Sequence, residues 1–401
     1  MASGTSLIAV SYGVVRYGYG LQLPQLAGEF SLSPRTAGAI ASGSFVAYCA
    51  AALAAQRLIA WRGARAVLWL AAALAASGAL LVAVSSSTPM LALGVLVAGS
   101  SAGAASPALV VAVGCTVREP LVARAQAVVN AGTGVGVAIA GAATLAAPQA
   151  WRLVWACGAA VALLAAATVD RHAYWPTNRR RTGAGEPHGS AGPGRTLLRP
   201  ALAAAVAGTG SAAVWTFGRD LITDTGGLPE RTTAALWCLL GTAAVLGAFS
   251  GDAVRLLGIR RAWALTATLT ATGTAMLALA PGQVLTAAIA GAVFGGAYTA
   301  LSGVLIAWAS VLRPHAAGQA TATLFIALTA GQAVGAVATG VVAERAGAPA
   351  AFWAGAALIL TAATILPRRV NPGATSAGSH RRRGLDVIPA EQGTVRGRRL
   401  T

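Results

Sequence analysis

Residues 247–263 read GAFSGDAVRLLGIRRAW. One apolar run leads into this stretch and another leaves it. Between them, Asp252, Arg255, Arg260 and Arg261 crowd into ten positions. Charges gathered so tightly between apolar runs mark a short polar turn joining two helices that lie in an apolar medium. Gly247 and Gly251 allow close backbone approach, and Asp252 can cap a helix or take a basic partner. Whether this is one hairpin or one of many depends on the chain around it.

Of 401 residues, 56% are hydrophobic and only 10% charged. That is too little charge to cover a soluble protein of this length. Uncharged runs recur from end to end, and about 20 apolar residues cross a bilayer. Twelve spans are expected, near 5–27, 37–56, 66–86, 89–113, 122–146, 150–169, 198–221, 232–253, 262–281, 284–311, 317–343 and 349–366. The expected class is an all-α polytopic membrane protein. The net charge of +18 comes from arginine alone, since the chain contains no lysine. Those arginines lie between apolar runs and not along one face, which argues against nucleic acid as a partner. Cys49, Cys115, Cys157 and Cys238 fall singly in or beside apolar runs and read as small packing residues. The start lacks a positive region and Arg16 interrupts its apolar run, so no cleavable leader is expected.

With the N-terminus inside, the inward connections and the tail hold 23 of the 29 arginines. Five, Arg35, Arg152, Arg219, Arg231 and Arg345, fall outside. This bias predicts a multi-pass protein of the cytoplasmic (inner or plasma) membrane with both termini cytoplasmic. The stretch 172–195, rich in Gly, Pro and Arg, divides six spans from six. The expected organisation is a six-helix bundle at 1–170, a cytoplasmic linker at 171–197, a second six-helix bundle at 198–367 and a disordered basic cytoplasmic tail at 368–401.

The halves resemble each other. A shift of 196 positions sets Arg35 on Arg231, Thr36 on Thr232, Gln56 on Asp252 and Arg65 on Arg261. Further along, VAGSSAGAAS around Gly99 echoes IAGAVFGGAY around Gly291, and GTGVGVAIAG from Gly132 echoes GQAVGAVATG from Gly331. A duplicated six-helix unit is the economical explanation.

With both features in place, GAFSGDAVRLLGIRRAW resembles the G-x-x-x-G-D-x-x-x-x-x-G-x-R-R signature of the major facilitator superfamily of secondary transporters. The resemblance covers roughly residues 5–366. It implies twelve helices in two pseudo-symmetric bundles that alternate access to a central cavity. It also implies gating or conformational roles for Asp252, Arg260 and Arg261. The matching first-half stretch, AAALAAQRLIAWRGARAVL, keeps Arg57, Arg62, Gly63 and Arg65 but has Gln56 where the family places aspartate. Near the start, RYGYGLQLPQL is similar to an R-F-x-Y-x-P-L-L-P pattern in the first helix of a bacterial subgroup of these carriers. Arg16, Tyr19, Leu23 and Pro24 match it.

Arg16 lies nine residues beyond Leu7, near mid-membrane at a rise of about 1.5 Å per residue. An arginine there costs about 2.5–3.5 kcal/mol on insertion scales, so something must face it. In a regular helix Tyr12, Arg16, Tyr19 and Leu23 share one face. Two readings stand: a counter-charge for a ligand or coupling step, and a structural tie to a neighbouring helix. Among the other polar residues inside spans, Asn130, Tyr48, Tyr298, Gln332, Trp215 and Trp308, the binding candidates are Asn130, Tyr298 and Gln332, beside Arg16, Tyr12 and Tyr19. Asp220 and Asp224, next to Arg219, read as a local ion pair or outer gate ahead of a proton site. No span carries a central carboxylate, and the four histidines sit in connections or the tail.

The Gly-rich run from Asn130 resembles the fifth-helix motif of proton-driven exporters without its proline. Gly99-Ser-Ser-Ala-Gly103 matches a nucleophile motif by letter only, since no strand precedes it. No catalytic residue, metal site or cofactor is expected. The expected partners are a small-molecule substrate and the lipid bilayer, with protons as the candidate coupling ion and the monomer as the working form. The function expected is transport of a small polar or anionic organic solute by alternating access, with Arg16 as counter-charge. The alternatives are proton-driven efflux of an amphipathic compound and, from another class, a non-transporting sensor on a carrier fold.

Overall fold

A computed structural model describes residues 1–175 and 194–367. The tail expected at 368–401 and the middle of the linker expected at 171–197 lie outside the described residues. At the linker's edges helices continue further than expected, to His172 on one side and from Gly194 on the other.

The first rod, α1, runs through Ala2–Ile8, a π-helical stretch Ala9–Arg16, and Gly18–Phe30. The next five are α2 Pro34–Arg62, α3 Ala64–Ala83, α4 Thr88–Thr116, α5 Glu119–Ala146 and α6 Trp151–His172. Then α7 covers Gly194–Asp220 and continues as a π turn, Leu221–Thr225. Helix α8 starts as Glu230–Ala244 and tightens to a 3-10 stretch, Val245–Phe249. The helical segment Ser250–Leu279 then bends at Gly258, which ends α8 and begins α9. The series closes with α10 Val284–Leu312, α11 Ala317–Ala346 and α12 Ala348–Thr364. Among the described residues nine helices are long and apolar enough to cross a membrane, one of them the joined Glu230–Leu279. Dividing that one at Gly258, and adding the interrupted α1 and the 17-residue α12, gives twelve rods.

Local chemistry sets the turns. Ser33 caps α2 by accepting from the Thr36 N–H at 3.2 Å, with Pro34 at the first helical position. Gly63 ends α2 at φ +83° and Gly258 ends α8 at φ +75°, a left-handed region that glycine enters without Cβ strain. These two turns are the paired basic connections of the sequence repeat.

The repeat extends into packing. A Cβ added to Gly78 of α3 would strike the backbone of Ala98 in α4; one added to Gly273 of α9 would strike Phe294 in α10. Likewise Gly136 of α5 seats against the Ala9 carbonyl of α1, and Gly331 of α11 against the Ala205 carbonyl of α7. Each pair in the first half returns in the second about 196 residues on, so small residues hold equivalent helix crossings in both halves. Gly136→Ala is therefore expected to force α1 off α5, at a cost on the order of 3 kcal/mol. Gly114→Ala, with open space at its Cβ, is the control. Equal unfolding temperatures for the two variants would refute the close-packing account.

Met1–Leu366 form one compact unit. Across the halves α2 packs on α11, α5 on α8, and the second part of α1 on α7. These contacts gather toward the end farther from Met1. Gly38 meets Ala336, Gly340 meets Pro34, and Gly20 meets the Trp215 carbonyl. Among the described residues, α4 makes no comparable contact with α10 or α11.

Candidate functional site

Arg16 sits where the two halves meet. It is only 6% exposed. Its Nη2 donates to Thr329 Oγ1 at 3.0 Å and to Gln332 Oε1 at 2.9 Å, both on α11. Gln332 in turn donates to the Tyr298 hydroxyl of α10 at 3.0 Å. Aromatic rings surround the guanidinium: Tyr48 at 4.1 Å, Tyr12 at 5.3 Å, and Tyr17 and Phe45 at 5.4 Å. Tyr12 shares hydrogen bonds with Tyr48 at 2.9 Å and with Ser106 of α4 at 2.5 Å. Tyr17 stacks on Trp215 of α7 at 4.0 Å, and Trp215 meets Phe294 and Tyr298 edge-on. Two neutral acceptors and four rings thus replace the carboxylate that a buried arginine ordinarily requires. Among the described residues no salt bridge to Arg16 forms.

The π-helical stretch explains this arrangement. The Tyr17 N–H bonds the Tyr12 carbonyl, five residues back, at 3.0 Å. One inserted residue turns the rest of α1 by about 100° relative to an unbroken helix. The face expected to carry Tyr12, Arg16, Tyr19 and Leu23 is thereby broken. Tyr17 swings in beside Arg16, and Tyr19 turns to donate to the Ala37 carbonyl of α2 at 3.1 Å.

The other sequence candidates separate. Tyr12, Tyr298 and Gln332 join Arg16; Asn130 is half-buried on α5 and is neither a hydrogen-bond partner nor a ring contact of Arg16. Tyr48 and Trp215, which are not among the binding candidates, belong to the cluster, whereas Trp308 packs on Trp263 elsewhere. Thr329, Phe45, Tyr17 and Ser106 are further members. A threonine or phenylalanine in an apolar run carries no mark that separates it from packing. Tyr17 stands at the aromatic position of the first-helix pattern, but its place over Arg16 follows from the inserted residue.

Arg219 does not pair with Asp220 or Asp224, which corrects the ion-pair expectation. Its Nη1 donates to the Leu21 carbonyl at 2.6 Å and to Gln25 Oε1 at 2.8 Å, both on α1. Its Nε reaches Thr233 Oγ1 at 3.1 Å and its Nη2 the Glu230 carbonyl at 3.2 Å, both on α8. Asp220 is the next residue and leaves the helix about 100° away, while the π turn carries Asp224 to the surface.

At the end of the chain's start, Arg65 grips Asp170 of α6 through two bonds of 2.6 and 2.9 Å. Asp252 pairs with Arg255 on its own helix at 3.0 Å, and the half-buried Gln56 lies on α2. The first half thus joins α3 to α6 with an aspartate that the signature does not contain.

A family model described as "Uncharacterised MFS-type transporter YbfB" matches residues 8–366. The chain belongs to this family. It is a multi-pass membrane transporter with the major facilitator fold. Solved structures agree on the fold. The nucleoside transporter NupG superposes with a TM-score of 0.74 at 10% identity, covering 90% of this chain and 98% of that one. The inward-open xylose transporter XylE from E. coli gives 0.72 at 14% identity, covering 92% and 96%. A bacterial homolog of the human lysosomal transporter Spinster, inward-facing and unoccupied, gives 0.68 at 15% identity, covering 90% and 94%. No curated protein matches the chain.

Proposed function

We propose that this transporter moves a small polar or anionic organic solute across the cytoplasmic membrane by alternating access, with Arg16 as the solute's counter-charge. One observation carries the reading. Arg16 is buried at the junction of the halves and, among the described residues, is held by neutral side chains alone. A dehydrated cation with no anion is costly at rest, and that cost falls when an anionic ligand arrives. Functional arginines inside membranes are kept for this kind of work.

The 23-to-five arginine bias supports a cytoplasmic position for both termini. The contacts that join α1 to α7 and α2 to α11 then lie at the outer end, so the described conformation is closed outside. Arg65 with Asp170, and the Asp252–Arg261 connection, sit at the inner end as gating elements. Uptake into vesicles of radiolabelled organic anions, sugars, nucleosides and cationic drugs tests this. Transport of an organic anion is the expected result. Movement of cationic or neutral amphipaths alone would establish the efflux reading in its place.

A further inference from the structure

Beside Arg16 lies a pocket between α1, α2 and α7, lined by Arg16, Tyr17, Ser44, Phe45, Trp215 and Thr216 among others. Its volume of about 10 Å³ is room for one oxygen-sized atom. Three of its lining residues carry a polar atom that is buried and has no hydrogen-bond partner among the described residues: Arg16 Nε, Trp215 Nε1 and Thr216 Oγ1. Those residues are 6%, 2% and 2% exposed. The geometry points to a subsite for the carboxylate of an organic monoanion, held by Arg16, Trp215 and Thr216 together. This rests on the anion-carrier reading above and narrows it to a substrate class.

The donor set selects the charge and shape. The Nη2 of Arg16 is already committed to Thr329 and Gln332, whereas its buried Nε–H has no partner among the described residues and is available to a ligand. The indole N–H donates only, and the threonine hydroxyl can donate, so the set suits an acceptor-only group. A carboxylate offers two oxygens and a single charge to match the single guanidinium. A phosphate monoester carries about −1.5 to −2 charges at neutral pH, and among the described residues no salt bridge or second arginine contact joins the Arg16 cluster to balance it. In this outer-closed form the pocket admits one carboxylate oxygen; the second oxygen and the body of the anion need α1 and α7 to part. The two donors on α7 and the one on α1 also belong to opposite halves. A carboxylate bridging them therefore binds one arrangement of the halves better than another, the condition for a ligand to drive the transition.

The test uses the purified full-length protein in nanodiscs, with intrinsic tryptophan fluorescence as readout. Acetate, pyruvate and phenylacetate are titrated against phenyl phosphate and the neutral phenylacetamide. At least one carboxylate is expected to bind at least about tenfold more tightly than phosphate and amide. Thr216→Val should weaken that carboxylate about tenfold, as befits loss of a hydrogen bond to a charged group. It should leave amide binding and the unfolding temperature unchanged. Trp215→Phe, which removes the N–H and keeps a ring, should act in the same direction. If carboxylate binding requires Arg16 but ignores both variants, the three-donor subsite is wrong and the anion-carrier reading survives. Tighter binding of phenyl phosphate refutes the subsite's charge assignment. Failure of every anion to bind overturns both readings.

Discussion

Arg16→Met is expected to abolish transport while leaving the fold as stable as before, or more so. Truncating one side of a buried, hydrogen-bonded charge pair costs about 2–5 kcal/mol, so affinity for the anionic solute should fall about thirtyfold or more. Stability should move the other way. Methionine fills a similar volume without dehydrating a charge, and such replacements are often neutral or stabilising. Insertion of α1 also becomes easier without an arginine near its centre. Against these gains stands one loss, since Gln332 Oε1 and Thr329 Oγ1 lose their donor, on the order of 1–3 kcal/mol where no substitute forms. Arg16→Lys keeps the charge without the planar fork and should restore part of the transport. The measurements are vesicle uptake per folded molecule and the unfolding temperature of the same preparation. If both fall together, Arg16 is a structural tie between α1 and α11 and carries no ligand.

These two roles of Arg16 could not be separated in the sequence, and α1 shows why. The apolar runs and the basic turns define twelve rods because membrane burial is a property of composition averaged over twenty residues. Gly63 and Gly258 mark turns for the same reason: a local conformation asks for a local residue type. The inserted residue at Ala9–Arg16 has no such signature. It is sustained by packing of α1 against α5, where Gly13 and Gly136 meet backbone to backbone, and that contact joins residues more than a hundred positions apart. A shift of one residue was enough to hide Tyr17, which lies over the Arg16 guanidinium, while Tyr19 lines the pocket beside Arg16 and bonds the Ala37 carbonyl.

Charge pairing failed in the same manner. Asp220 and Asp224 are the nearest carboxylates to Arg219 along the chain, yet the guanidinium turns away from both toward α1 and α8. Arg65 finds Asp170 at 2.6 Å although 105 residues separate them. Proximity in sequence is a poor guide to partners on a helix, where neighbours lie three or four residues apart or on another rod. Gln332 and Tyr298 were legible because an amide and a phenol inside apolar runs demand partners, and they find each other.

Arg219→Met is the second large effect, and it should appear as a change in which conformation is populated. Arg219 is fully buried, and its four hydrogen bonds join α7 to α1 and to α8. Two of them, to Leu21 and Gln25, cross between the halves at the end read as outer. Opening that end must break both. A charged donor on a neutral acceptor contributes about 1.5–3 kcal/mol per bond, opposed by the dehydration of the guanidinium. A net loss on the order of 2 kcal/mol from the outer-closed form is expected, about a thirtyfold shift in population. The bonds to Thr233 and the Glu230 carbonyl stay within the second half and should matter to stability alone. Ala41→Cys, on the pocket wall beneath this junction, reports the shift. Its labelling by a membrane-impermeant thiol reagent from the outside should be slow in the parent and about thirtyfold faster with Arg219→Met. The four native cysteines are replaced in both proteins. Thr233→Val is the companion variant, expected to lower the unfolding temperature without speeding the label. Should Arg219→Met lower stability and leave labelling unchanged, Arg219 holds α7 to its neighbours in every state and is no part of a gate.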